Sequence, residues 1–119
     1  MPRSQPEHNA QKALIVWAKY NEFKYPDLWG LHAVPNGGHR IPAVAAKLKK
    51  EGTKPGVFDL ALDVARHGYH GLKIEMKIGK NKLTADQSKW KAWYERQGYK
   101  TAVCYGWHEA AEELEEYLR

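Results

Sequence analysis

Val57-Phe58-Asp59-Leu60-Ala61-Leu62-Asp63-Val64 and Leu72-Lys73-Ile74-Glu75-Met76-Lys77-Ile78 are the two stretches that decide how this chain is read. Each looks like a strand, and Arg66-His67-Gly68-Tyr69 between them suits a tight reversal. Strands joined that way lie antiparallel, which brings Asp59 beside Glu75. Side chains alternate faces along a strand, so Glu75 and Lys77 project to one side and Ile74, Met76 and Ile78 to the other. Two carboxylates and an ammonium on one face suit a hard divalent cation with a water beside it, the arrangement of phosphodiester hydrolysis. A Glu-x-Lys strand alone is only the alternation of any half-exposed strand. Pro55-Gly56 ahead of Asp59 and the basic setting add weight to the site reading.

On this reading Asp59 and Glu75 bind Mg²⁺ or Mn²⁺, with the Met76 backbone carbonyl as a further ligand. The cation offsets charge on the phosphate and acidifies water, and Lys77 orients that water or faces the transition state.

Working outward, Thr84-Ala85-Asp86-Gln87 is a capping-box pattern that opens a helix running to about Gln97, with Trp90, Trp93 and Tyr94 as its inner stripe. Lys100–Tyr105 reads as a buried strand. Residues 108–118 read as a helix with Ala110, Ala111, Leu114 and Leu118 inward and glutamates outward. Upstream, Ser4 is the expected N-cap of a helix to about Tyr20, with Glu7 at its capping-box position. Leu28–Val34 is expected as a short strand, Pro35-Asn36-Gly37-Gly38 as a loop, and 41–51 as a helix stopped by Gly52. The order predicts one α/β domain over residues 1–119, a mixed sheet flanked by helices.

The net charge of +5 is uneven: residues 1–106 hold 18 Lys/Arg against 9 Asp/Glu, whereas 107–119 hold one Arg against five Glu. Such a basic body favours a polyanionic partner. Lys47, Lys49, Lys50 and Lys54, and separately Lys80, Lys82, Lys89 and Lys91, are candidate phosphate-tracking clusters, and the Asn36–Arg40 loop suits backbone approach to a phosphate. The six histidines lack zinc-ligand spacing, and His70 reads as a surface residue. The lone Cys104, in an apolar run, reads as a small core residue in a reducing compartment. No signal peptide or membrane-spanning stretch is evident, and Trp17, Trp90 and Trp93 read as core.

Taken together, Pro35-Asn36-Gly37-Gly38, Pro55–Leu60, Gly71–Lys77, Gln87, Gly98-Tyr99 and Ala102–Trp107 resemble the VRR-NUC branch of the PD-(D/E)XK nucleases over nearly the whole chain, from Glu7 to about Leu118. That resemblance implies a restriction-endonuclease-like core of αβββαβ type. It also implies a site of Asp59, Glu75 and Lys77, with Glu7 as a further acidic residue near the metal and Gln87 as the family's glutamine. Glu7 and Gln87 each also sit where they could simply cap their own helices. Phe58 departs from the proline that family members commonly carry before the aspartate; on a regular strand it would point away from Asp59. The stand-alone, phage-type members imply a homodimer resolving four-way (Holliday) DNA junctions in the cytoplasm of a bacterial host. Flap cleavage is the enzymatic alternative. A nucleic-acid-binding module without activity, or a basic interaction protein of the replication machinery, are the alternatives from other classes.

Overall fold

Residues 5–35 and 41–119 are described by a computed structural model. Helix α1 (Gln5–Tyr20) leads into a 3-10 helix (Pro26–Gly30) and strand β1 (His32–Ala33). Helix α2 (Pro42–Lys50), strands β2 (Leu60–Leu62) and β3 (Leu72–Lys77), helix α3 (Ala85–Arg96), strand β4 (Lys100–Tyr105) and helix α4 (Trp107–Leu118) follow. The expected Ser4 cap and the Asn36–Arg40 loop lie outside the described residues.

The sheet runs β1-β2-β3-β4, with β1 and β3 both antiparallel to β2. Strand β4 runs parallel to β3, reached by the crossover through α3 that a parallel pair requires. The reversal between β2 and β3 is the predicted one. Arg66 and Tyr69 exchange backbone hydrogen bonds of 3.2 and 2.8 Å across His67 (φ 53°) and Gly68 (φ 84°). Two positive φ angles make a type I′ turn, whose twist matches that of the paired strands.

Alternation along β3 divides the molecule. Leu72, Ile74 and Met76 point into the main core with Leu60 and Leu62, against Leu14 and Ala18 of α1 and Ala110, Ala111, Leu114 and Tyr117 of α4. Lys73, Glu75 and Lys77 point to the other face, where α3 lies. One face of β3 is therefore given to packing and the other to polar groups.

Three sequence expectations change. Only His32–Ala33 of the expected Leu28–Val34 strand enters the sheet, because Pro26 starts a 3-10 turn that buries Leu28 instead. Strand β2 is three residues rather than the expected 57–64, and the chain bends at Asp59 just before it. Leu118 packs against the core as expected, and Tyr117 beside it is fully buried, its hydroxyl donating to the Val64 carbonyl at 2.6 Å. Trp93 is 44% exposed rather than core; Tyr94 is the buried member of that stripe. Helix α2 buries none of its side chains.

Candidate active site

The bend at Asp59 shapes the site. The register that pairs Leu60 with Ile74 would pair Phe58 with Met76 if the ladder went on. It stops instead, and the Met76 N–H donates to Asp59 Oδ2 at 2.8 Å. A side-chain carboxylate thus takes the bond that a backbone carbonyl would have accepted, which fixes Asp59 against β3. On the other side the Asp59 carbonyl accepts from the Val34 N–H at 2.8 Å, so β1 holds the same residue.

Phe58 does not alternate away into the main core as a regular strand would have it. It is buried beneath α3, edge-on to Tyr94 with ring centroids 5.5 Å apart. Burial pushes the Tyr94 hydroxyl up, while a hydrogen bond with the Phe58 backbone pulls it down.

Gly56 brings the loop into place. It has φ 85°, and a Cβ there would stand 2.6 Å from the Asp86 backbone carbon. Only glycine lets the Pro55-Gly56 segment lie this close to the first turn of α3. The Pro55 carbonyl also accepts from Trp90 Nε1 at 3.0 Å. The loop that delivers Asp59 is therefore fastened to the helix that covers Glu75.

Glu75 is 2% exposed and Asp59 4%. Gln87 Nε2 donates to Glu75 Oε2 at 2.9 Å, and Lys77 Nζ stands 4.0 Å from the same oxygen. Glu75 Oε1 is buried with no hydrogen-bond partner. Burial, and then the neighbouring Asp59 carboxylate, push Glu75 from 4.5 up to about 8; Lys77 pulls the other way. Two carboxylates in a shared, nearly dry position carry more negative charge than one ammonium offsets. An orphaned carboxylate oxygen and this charge excess are what a hard dication would relieve, so the residues present fit one.

Among the sequence-predicted residues, Asp59, Glu75, Lys77 and Gln87 are brought together. Gln87 serves both of the roles open to it. Its Oε1 accepts from the Thr84 N–H at 2.9 Å, closing the capping box, while its Nε2 reaches Glu75. Glu7 lies half-buried in the first turn of α1, which packs on β3. Among the described residues no three His, Cys, Asp or Glu side chains gather into a metal-holding group. The lysines of both predicted clusters are exposed except Lys91, which is partly buried and paired with Glu95 at 2.7 Å. His70 is exposed, as expected.

The sequence reading passed over Lys73. It shares the Glu75–Lys77 face by simple alternation, lies 4.7 Å from the Tyr99 ring centroid and 5.4 Å from that of Tyr94, and pairs with Asp63 at 3.7 Å. The i, i+2 rule that found Lys77 was enough to find it.

A solved structure described as a VRR_NUC domain protein matches with a TM-score of 0.81 and 30% sequence identity, over 98% of this chain and 90% of that one. The chain belongs to the VRR-NUC family. Its mixed four-stranded sheet flanked by helices is the fold of a PD-(D/E)XK-type nuclease. No family model and no curated protein matches the sequence. Within this VRR-NUC chain no described helix is long and apolar enough to cross a membrane.

Proposed function

We propose that this VRR-NUC domain, acting as one unit over residues 1–119, is a metal-dependent, structure-selective DNA endonuclease. The observation that carries the reading is the buried Asp59–Glu75 pair, with an unbonded Glu75 oxygen and Lys77 4.0 Å away. Asp59, Glu75 and the Met76 carbonyl would hold Mg²⁺ or Mn²⁺. Glu7, half-buried in the first turn of α1, would be a further acidic group near the metal. A dication there supplies positive charge against the phosphate and acidifies the attacking water.

The chain's own groups do the remaining work. Gln87 holds the Glu75 carboxylate in one orientation, and the Met76 N–H does the same for Asp59. Lys77, 7% exposed, keeps its ammonium on the Glu75 side, where it can hold the water or a phosphate oxygen as charge grows. The lysines of α2, with Lys54, Lys80, Lys82 and Lys89, give the duplex arms a basic surface.

The leading substrate is a four-way DNA junction cut by a homodimer, because a twofold assembly presents two sites to a junction's paired scissile phosphates. A phage- or prophage-encoded protein of the bacterial cytoplasm is the proposed setting. Flap cleavage keeps the same site with a different substrate.

The test is cleavage of labelled four-way junction, 5′-flap and plain duplex DNA in Mg²⁺, Mn²⁺ or EDTA, beside Lys77→Ala. Paired symmetric nicks in the junction, lost in EDTA and in the variant, are expected. Preferential flap cutting would replace the substrate. Tight binding with no metal-dependent cutting would turn the reading to a binding module.

A further inference from the structure

Strand β4 sets an aromatic ring beside the candidate site. Ala102 and Cys104 point into the main core. By alternation Thr101, Val103 and Tyr105 point the other way, to the face that carries Lys73, Glu75 and Lys77. The parallel register pairs Glu75 with Val103 and Lys77 with Tyr105. The Tyr105 backbone therefore stands one strand spacing, about 4.8 Å, from that of Lys77, on the side of β3 away from Asp59.

Phe58 and Tyr94, the aromatics under α3, are buried, whereas Tyr105 is 39% exposed and lies outside the core. It is also held in place. Its hydroxyl donates to the Asn81 carbonyl at 2.7 Å, and its backbone N–H donates to Glu109 Oε1 at 2.9 Å. The next residue, Gly106, donates its N–H to the Lys77 carbonyl at 3.1 Å. Asn81 lies in the connector from β3 to α3, between the exposed Lys80 and Lys82. The result is an accessible, anchored ring with Lys77 on one side and a basic connector at its tip.

We infer that Tyr105 is a stacking platform for the base next to the scissile phosphate, and that it favours branched over plain duplex DNA. This deepens the nuclease reading above and rests on it. Every base has a π-face, so an aromatic platform takes any sequence. What it does sense is whether a face is open. A base inside a duplex must first be unstacked, which costs a few kcal/mol, whereas a base at a branch point gives up less. Tyr105 thus reads structure rather than sequence, while Lys80 and Lys82 meet the phosphates that flank that base.

Equilibrium binding of labelled four-way junction, 5′-flap and plain duplex DNA in EDTA tests this on wild type, Tyr105→Leu and Tyr105→Phe, with a thermal melt to verify folding. Tyr105→Leu is expected to weaken junction and flap binding about 5- to 100-fold, and duplex binding less than about 2-fold. Tyr105→Phe keeps the ring but loses the Asn81 bond, and it is expected to restore junction and flap binding to within about 3-fold of wild type. Tyr105→Gln stands in should the leucine variant not fold. A phenylalanine variant as weak as the leucine variant overturns the proposal, because the hydroxyl tether would then be the whole role. Equal loss on duplex and branched DNA overturns it too, and so does no loss on either. Mn²⁺-dependent nicking is measured on the same samples. A wild type that binds but never cuts removes the nuclease reading, and the stacking proposal is then decided by the binding in EDTA alone.

Discussion

Replacing Glu75 by glutamine should make the metal-free protein more stable while abolishing its response to metal. Glu75 titrates at 4.5 when unfolded and at about 8 in the folded chain, because burial beside Asp59 disfavours its charge. A carboxyl with a raised folded pKa binds its proton more tightly in the native state. Its stabilisation is complete below pH 4.5 and is lost as the pH rises toward 8. One pH unit of displacement corresponds to about 1.4 kcal/mol, so the loss reaches about 3 kcal/mol at pH 7 and roughly 4 kcal/mol at pH 8. Against a typical total of roughly 5–15 kcal/mol this is a large share. Glutamine keeps the shape, can still accept from Gln87 and can donate to Asp59, and it never ionises. Urea unfolding of both proteins in EDTA from pH 5 to pH 8.5 measures the difference. The two should agree near pH 5 and diverge above it, the variant becoming the more stable. Adding Mg²⁺ or Mn²⁺ should then stabilise wild type, by linkage to binding, and leave the variant nearly unmoved. A wild-type-minus-variant difference that is flat with pH would refute the buried-charge account. Equal metal stabilisation of both would refute the metal site.

Gly56→Ala should cost about 1–3 kcal/mol, since it forces a Cβ against Asp86 at a positive φ, and cleavage should fall with it as the Asp59 loop comes off α3; thermal melts and nicking rates measure both. Tyr117→Phe should cost about 1–2 kcal/mol in urea unfolding by leaving the Val64 carbonyl without its donor, with the nicking rate unchanged. Burial pushes the Cys104 thiol up to about 12, so it should resist iodoacetamide at pH 8 in the native protein and react once urea unfolds it; fast native labelling would contradict its placement in the core.

The hairpin and its charged face were legible because β alternation and turn chemistry are local rules, and Asp59, Glu75 and Lys77 lie within nineteen consecutive residues. The bend at Asp59 was not. It is set by Pro55-Gly56 docking on α3, a contact with residues some thirty positions downstream. Trp93 was misplaced for a related reason. Trp90, Trp93 and Tyr94 satisfy helical spacing as a group, but Gln87 fixes the phase of α3 by touching Glu75. Tyr94, seven residues on, falls on the same line, while Trp93 is turned about 100° from it. The expected strand at Leu28–Val34 shrank to His32–Ala33 because Pro26 acts on the following turn, and an apolar run of that length does not distinguish strand from tight helix.

The double engagement of Gln87 has a consequence for the life of the chain. Asp59, Glu75 and Lys77 leave the ribosome before the segment that becomes α3, so a nascent chain holds all three with nothing to orient Glu75. The same side chain that starts the helix also sets that carboxylate, so the order of synthesis withholds an organised site until residues 84–96 have folded onto the sheet. Glu75 therefore takes its orientation from a helix that the ribosome makes after it.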